Sequence, residues 1–486
     1  MSTESRPSSK QAVRGVIWTY ASYYSGKLMV FVSTIILARL LSQDDFGVAG
    51  YALIVINSLN VLSDLGVGQA LIYLEKDPKA TDTAFWLSIL LSFILFTLTW
   101  LVAPYIGSFF EDPRAVSVTR ALAFNFPLSS LGYIHDILLR KTLSFKRKFV
   151  PDLSRSIAKG IFSIALAYLG YGAWSLIYGQ LIGTLVASLV LWLIVPWHPS
   201  FYFSKELARD LLRFGLNIVA ISGLSVFLDN IDAMLIGKYI GAAALGIYTL
   251  AFRVPDMLVM QFNALVSKVV FPLYAKIRND ADSLKRGFLY STRYLTLITV
   301  PMGIGVAVIA RPLVLILFGE KWIDAIPVMQ ALSVYTVVIS LVYNAGDVYK
   351  AQGRPEILTR VTLLEGVLLA PTLYFAIIVQ KTIVAVGWGR VFVAIIITVI
   401  DLFIAARMLE ISFGDIFKVI APSVGAGLLM ALLVNLSLLA IPDSMLILEL
   451  VGGVIVGGVV YIGSLWIFQR DLLLDGFKIL RKAVVR

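Results

Sequence analysis

The stretch Ser33–Leu74 decides the fold; it reads STIILARLLSQDDFGVAGYALIVINSLNVLSDLGVGQALIYL. Its apolar runs predict a first helix that ends at Arg39 and a second that begins at Phe46. The polar turn Ser42–Asp45 separates them, so the stretch is a corner between two apolar helices. Asp64 lies deep inside the second predicted helix.

The corner recurs 199 residues later without a gap. A duplicated helix pair in an apolar chain is typical of secondary transporters, in which two similar lobes face a site near the bilayer midplane. The alternative is a chance similarity between two apolar helix pairs. The matching anchors are Arg14 with Arg213, Leu37-Ala38-Arg39-Leu40-Leu41 with Ile236-Gly237-Lys238-Tyr239-Ile240, and Phe46-Gly47 with Leu245-Gly246.

The composition is that of an integral membrane protein. Of the 486 residues, 59% are hydrophobic and only 15% are charged, which is too little polar surface for a soluble globule. Apolar runs of about 20 residues recur, and ten-residue stretches of alternating polarity do not. The sequence therefore predicts an all-α polytopic fold with about fourteen transmembrane helices.

Several function classes are disfavoured by what the sequence lacks. It has no cysteine, which removes disulfides and thiolate chemistry, and only two histidines. No Gly-rich phosphate loop is present, so we expect no ATP-driven activity. We also expect no cofactor, no metal site and no enzymatic activity. The net charge of +11 comes mainly from Lys and Arg in short loops, which indicates membrane orientation and not nucleic-acid binding.

Basic loops alternate along the chain with loops that have few bases. This alternation predicts that both termini are cytoplasmic and that the helix count is even. We expect a six-helix lobe over 1–195, a cytoplasmic inter-lobe linker over 196–208, a second six-helix lobe over 209–410, and two additional helices with a basic tail over 411–486. The predicted spans are 14–39, 46–74, 82–104, 116–139, 152–170, 173–195, 209–237, 245–273, 287–317, 325–349, 357–379, 384–408, 416–440 and 446–468.

Four cationic residues inside the predicted spans are candidates for substrate binding. Lys27 and Arg390 have no acid within one helical turn in sequence, and Arg253 and Arg293 are weaker candidates. Ionisable groups are costly in lipid and usually face a bundle interior or a wet cavity. Fixed positive charge there would bind an anionic group, preferably a phosphate or pyrophosphate. The alternative is pairing with acids on other helices.

Four acids inside the spans are candidates for ion coupling. Asp229 and Asp232 are three residues apart and are expected to share one helix face; Asp64 and Asp256 complete the set. They would take part in cation or proton coupling. The alternative is that they neutralise nearby arginines.

Several segments together resemble the Wzx/WzxC-type polysaccharide flippases, and the likeness covers about residues 10–410. The order and spacing of these segments carry the resemblance, since each segment alone is weak. They are Phe46-Gly47 with SDLGVGQALI (Ser63 to Ile72), RKTLSFKRK (Arg140 to Lys148), Gly-Ala-Trp-Ser-Leu (Gly172 to Leu176), FPLYAKI (Phe271 to Ile277) and FGEKWIDAIPVMQAL (Phe318 to Leu332).

The resemblance implies the fold of the multidrug/oligosaccharidyl-lipid/polysaccharide exporter superfamily, with two six-helix lobes in a V around a central cavity that alternates its access. It implies an undecaprenyl-pyrophosphate-linked oligosaccharide as substrate, moved across the bacterial inner membrane for O-antigen, capsule or exopolysaccharide synthesis. Membrane lipids, a polysaccharide polymerase and chain-length proteins would be partners.

Three other functions remain open. A lipid II flippase would have a similar helix count, and a drug/cation antiporter of the same superfamily would favour acids in its cavity. A membrane polysaccharide polymerase or glycosyltransferase should have a sizeable extramembrane loop or paired catalytic acids, and neither is visible in the sequence.

Overall fold

The structure, a computed structural model, describes residues 26–64, 67–68, 71, 78–142, 144–442 and 444–468. All regular secondary structure in these residues is helical, which confirms the predicted all-α class. Nine helices in the described ranges are long and apolar enough to cross a membrane. The chain divides into two compact units, Met1–Gly246 (the first unit) and Ile247–Arg486 (the second unit).

The first unit contains eight helices in its described residues and the start of a ninth. The helices are α1 (26–40), α2 (Gln43–Asp64), α3 (Pro78–Phe110), α4 (Arg114–Ala123), α5 (Asn125–Lys141), α6 (Phe145–Tyr168), α7 (Ala173–Ile194), α8 (Lys205–Tyr239) and α9 (Ala242–Pro255), the last of which continues into the second unit. Of the helices that lie wholly within this unit, α3 and α7 combine apolar composition with a length sufficient to span a bilayer.

The second unit continues with nine more α-helices. Two π-helical turns, Asp256–Met260 and Phe375–Val379, lie close after a proline, where a helix readily loses its regular hydrogen bonds. The α-helices are α10 (Gln261–Ile277), α11 (Ala281–Val308), α12 (Ala310–Leu317), α13 (Ala325–Ser340), α14 (Ala345–Ala351), α15 (Glu356–Tyr374), α16 (Ile383–Met408), α17 (Phe413–Leu439) and α18 (Leu446–Phe468).

Three predicted single spans are each divided into two helices. The span 325–349 breaks at the turn 341–344, the span 116–139 breaks at Phe124, three residues before Pro127, and the span 287–317 breaks at Ile309, three residues before Pro312. Proline has no N–H to donate and its ring collides with the carbonyl one turn earlier. Each of these two prolines therefore ends the helix about one turn before it, and the prediction of a continuous helix was wrong at all three places.

The two corners predicted from the repeat have equivalent helix ends. Helix α1 ends at residue 40 and α2 begins at Gln43, while α8 ends at Tyr239 and α9 begins at Ala242. Both pairs of positions differ by 199. The repeat therefore holds at the level of helix boundaries; Arg14, its first anchor, lies outside the described residues.

The first corner is held by reciprocal capping at the start of α2. The Asp45 backbone N–H donates to the Ser42 hydroxyl at 3.1 Å, and the Ser42 backbone N–H donates to the Asp45 carboxylate at 2.9 Å. The same carboxylate accepts a hydrogen bond from the Ala173 N–H at 2.9 Å. Asp45 therefore joins the starts of α2 and α7.

Arg114 gathers two acids at the same end of the first unit. Its guanidinium contacts Asp112 at 2.8 Å and also pairs with Asp44. Partial burial acts to raise the pKa of Asp112, but the hydrogen bonds from Arg114 outweigh it and lower that pKa below its usual value. This pairing brings the starts of α2 and α4 together.

Two glycines allow a reciprocal backbone contact between α2 and α9. A Cβ atom on Gly47 would overlap the carbonyl oxygen of Ala242, and a Cβ atom on Gly246 would overlap that of Gln43. Gly47 corresponds to Gly246, and Gln43 to Ala242, by the same shift of 199. The crossing is therefore two-fold symmetric locally and requires glycine on both sides.

The predicted linker 196–208 is anchored to the first unit. Residues 196–204 are not helical, and α8 begins at Lys205 with Ser204 as its cap. The Trp86 indole donates to the Ser200 carbonyl at 2.8 Å and stacks on Phe201. The Ser200 N–H in turn donates to Asp82 at 3.1 Å. The role of residues 196–208 as an inter-lobe linker stays a prediction.

We expect Gly47→Ala and Gly246→Ala to lower the melting temperature of the detergent-purified protein by several degrees, because each methyl group would collide with a backbone carbonyl. Overpacking of this kind costs about 1–3 kcal/mol. Gly425→Ala in α17 is the matched control, since its Cβ would have no neighbour within 4 Å and alanine favours helix. Equal melting temperatures for Gly47→Ala and Gly425→Ala would contradict the close crossing.

Candidate functional site

Arg390 lies in the interior of the second unit. It is on α16, and only 6% of its surface is exposed. One turn before it, Gly387 faces Ala331 of α13 so closely that an added Cβ would lie 3.0 Å from the alanine Cβ. This approach brings Arg390 against Tyr335, which is one turn after Ala331.

The Arg390 guanidinium has an aromatic partner. Its Nη1 donates to the Tyr335 hydroxyl at 3.0 Å, and the guanidinium carbon lies 5.4 Å from the centre of the tyrosine ring. A hydrogen bond and a cation–π contact both offset the desolvation of a buried arginine. One partner of Arg390 is thus a neutral ring, whereas the sequence suggested only an acid as the alternative to substrate.

The end of α9 contributes an aromatic ring beside Tyr335. The Phe252 ring lies 6.4 Å from the Tyr335 ring, whereas the next residue, the predicted cation Arg253, is exposed. Asp256 attracts Arg253 electrostatically and accepts hydrogen bonds from the Gln261 amide at 3.2 and 3.3 Å. We call the set of Arg390, Tyr335 and Phe252 the Arg390 site; a role for Arg253 in substrate binding stays a prediction.

The other predicted cations lie elsewhere. Arg293 is half-buried on α11 of the second unit, and Lys27 is half-buried on α1 of the first unit. Neither belongs to the Arg390 site as defined within the second unit. A role for Lys27 and Arg293 in substrate binding stays a prediction.

The two predicted acids on α8 have different surroundings. Asp229 is exposed, whereas only 4% of the surface of Asp232 is exposed. The Asp232 carboxylate accepts a hydrogen bond from the Ala233 N–H at 2.9 Å. The side chain of Asp64 lies outside the part of the chain that the structure describes. Asp232 is thus the more buried of the two acids on α8.

A buried polar stripe on α13 was missed by the sequence analysis. Ser333, Thr336 and Ser340 are fully buried, and the Thr299 hydroxyl of α11 donates to the Ser340 hydroxyl at 2.9 Å. The stripe leads toward Asp347, whose Oδ2 has no hydrogen-bond partner among the described residues. Serine and threonine at intervals of three and four residues were the available signal.

A partly buried ion pair joins α12 to α18. The Arg311 guanidinium, which is 42% exposed, lies 3.1 Å from the carboxylate of Glu449, whose side chain is only 4% exposed. This pairing explains how α18 accommodates a buried carboxylate in its first turn.

The comparisons with known proteins agree on one family. Residues 36–327 match the family described as "Polysaccharide biosynthesis protein". The teichuronic acid biosynthesis protein TuaB of Bacillus subtilis is 26% identical over 84% of this chain and 85% of its own length. The lipopolysaccharide biosynthesis protein WzxC of Escherichia coli is 26% identical over 77% of each chain.

The fold also matches a solved structure. The lipid II flippase MurJ in an inward closed conformation superposes with a TM-score of 0.77 and 16% identity, covering 94% of this chain and all of that one. This protein is a multi-pass helical membrane protein with that fold. It belongs to the polysaccharide biosynthesis protein family, which confirms the resemblance inferred from sequence.

We expect Arg311→Leu to destabilise the protein by roughly 1–3 kcal/mol, because the buried Glu449 carboxylate would lose its cation. The double variant Arg311→Leu with Glu449→Leu should recover most of this loss, since two apolar groups replace the pair. Melting temperatures of the single and double variants measure the coupling. A double variant less stable than Arg311→Leu would show that the ion pair is not what stabilises this contact.

Proposed function

We propose that this protein carries oligosaccharide repeat units linked to undecaprenyl pyrophosphate from the cytoplasmic to the periplasmic leaflet of the bacterial inner membrane. The step would serve O-antigen, capsule or exopolysaccharide synthesis. Membership of the polysaccharide biosynthesis protein family supports the pathway. The single structural observation that carries the proposal is the buried Arg390 and its tyrosine partner.

The Arg390 site has the chemistry that a diphosphate headgroup requires. A guanidinium cannot be discharged, and it offers five N–H donors in a plane. Tyr335 accepts a hydrogen bond from one of these donors, and a guanidinium binds phosphate oxygens in a planar fork. The low dielectric of a buried site strengthens the attraction. The rings of Tyr335 and Phe252 would contact the first sugar.

The protein would act by transport alone. Its two termini would face the cytoplasm, where the basic loops lie, and no covalent step would be needed. Polymerisation and control of chain length would belong to separate membrane proteins that receive the substrate after transport. Lys27 and Arg293 are further candidates for binding the negative charge of the substrate.

We expect Arg390→Ala to reduce glycan export at least about tenfold, because hydrogen bonds to a charged group contribute about 1.5–3 kcal/mol each. Tyr335→Phe keeps the ring and removes only the hydroxyl, so its effect should be a few-fold. Arg390→Lys should retain part of the activity, since it keeps the charge without the planar geometry. Export is measured as surface glycan in a deletion strain carrying each variant.

Arg407→Ala is the matched control, because Arg407 lies on the same helix and is exposed. Membrane abundance of each variant is measured by immunoblot. Normal export at normal abundance in Arg390→Ala would contradict the proposal. Loss of export from Arg390→Ala together with loss of the protein from the membrane would assign Arg390 a structural role.

We further propose that Asp232 couples transport to a cation or proton, with Asp64, Asp229 and Asp256 as the remaining candidates. A carboxylate that is 4% exposed binds or releases a cation at a high electrostatic cost, which can be linked to a conformational change. The exposed Asp229, three residues earlier, lacks this environment. The proposal therefore assigns a coupling role to Asp232 in preference to Asp229.

We expect Asp232→Asn to abolish the dependence of transport on an imposed ion gradient, whereas Asp229→Asn should leave it intact. Uptake of a fluorescent lipid-linked oligosaccharide into proteoliposomes, with and without proton or sodium gradients, measures this. Gradient-stimulated transport that survives in Asp232→Asn would rule out a coupling role for Asp232.

A further inference from the structure

A cavity of about 650 Å³ lies on the surface of the first unit, between α3, α4 and α7. Four aromatic residues and one arginine are among the residues that line it. Trp100 and Phe124 meet edge to face at 6.1 Å, and Trp174 stacks on Tyr178 at 5.4 Å. The Arg120 guanidinium lies 5.2 Å from the Trp100 ring. We call this the Arg120 cavity.

The Arg120 cavity is open at the surface of the first unit. Helices α3 and α7 are both long and apolar enough to span a bilayer. Three of the aromatic side chains that line the cavity are exposed, with Trp100 at 38%, Phe124 at 45% and Tyr178 at 39%. Exposed apolar surface on helices of this kind suits contact with lipid.

Arg120 lies near one end of the first unit, close to aromatic residues typical of a membrane interface. It is six residues after Arg114, where α4 begins, so it lies about 9 Å along the helix from that end. Trp174 is one residue after the start of α7, at the same end of the unit. Tryptophan and tyrosine are enriched at membrane interfaces because one edge is polar and the rest is apolar.

The Arg120 side chain is only partly satisfied by protein. Its Nε is buried and has no hydrogen-bond partner among the residues that the structure describes. The contact with Trp100 stabilises the cation but supplies no acceptor. An anionic acceptor would complete the hydrogen bonding of this guanidinium, and a phosphate accepts in a planar fork.

We propose that the Arg120 cavity binds one anionic phospholipid of the surrounding membrane. The lipid phosphate accepts hydrogen bonds from Arg120, and the glycerol and upper acyl chains lie against Trp100, Phe124 and Tyr178. The site is in the first unit, whereas the Arg390 site is in the second, so this proposal does not depend on the transported substrate. A phospholipid is favoured because the cavity is open at the surface of the first unit and is lined by exposed aromatic side chains.

The test titrates the detergent-purified full chain with phosphatidylglycerol, phosphatidylcholine or undecaprenyl phosphate and follows the melting temperature. Phosphatidylglycerol should raise the melting temperature of the unmodified protein by several degrees, and phosphatidylcholine should raise it less. In Arg120→Gln the apparent affinity for phosphatidylglycerol should fall roughly tenfold, because a charge-assisted contact is lost. Arg120→Lys should keep part of the response.

Arg147→Gln is the matched control, because Arg147 is an exposed arginine of the same unit outside the cavity. If Arg120→Gln does not accumulate, Trp100→Leu replaces it, since it removes the aromatic support and keeps an apolar surface. Native mass spectrometry counts the copurified phosphatidylglycerol, which should fall in both cavity variants and not in Arg147→Gln.

Equal phosphatidylglycerol binding by the unmodified protein and the cavity variants would overturn the proposal. It would also be overturned if undecaprenyl phosphate stabilised the protein more strongly through Arg120, because the occupant would then be the glycan carrier lipid. Normal glycan export by Arg120→Gln would leave the proposed transport function intact whichever lipid binds.

Discussion

The close crossing of α2 and α9 is the constraint on which the first unit depends. Lipid tails are as apolar as the helices, so the hydrophobic effect does not drive helices together inside a membrane. Close van der Waals contact replaces it, and Gly47 and Gly246 permit that contact through the backbone. Tyr51 fills the next space, stacking on Phe110 at 4.2 Å and donating to the Gly237 carbonyl at 3.4 Å.

Hydropathy and the repeat were sufficient to predict the helical class, most spans and the two corners. The starts of α2 and α9 at equivalent positions follow from local turn chemistry, which the sequence displays directly. The helix breaks at Phe124 and Ile309 were not predicted, although Pro127 and Pro312 are visible in the sequence. A span is recognised by its average apolarity, and a single proline hardly changes that average.

The charged residue of the Arg390 site could be predicted from the sequence, but its tyrosine partner could not. Arg390 stands out as a cation in an apolar run, but Tyr335 is 55 residues away and carries no charge that would reveal it. The difference in burial between the two α8 acids was not predicted, although residues three apart differ by about 60° around a helix axis. That angle is enough to expose Asp229 and bury Asp232 at the edge of a packed face.

Three arginines illustrate how surroundings determine what one side chain does. Each is permanently charged, so each must find a partner that matches its depth and exposure. Arg311 meets the buried Glu449 and closes a helix contact. Arg390 donates to a tyrosine hydroxyl and lies beside its ring, and both contacts offset the cost of burying the guanidinium. Arg120 lies beside an indole in a cavity at the surface of the first unit. An aromatic partner stabilises a guanidinium through its π-system without itself carrying a charge, so the same side chain has different surroundings at each of the three places.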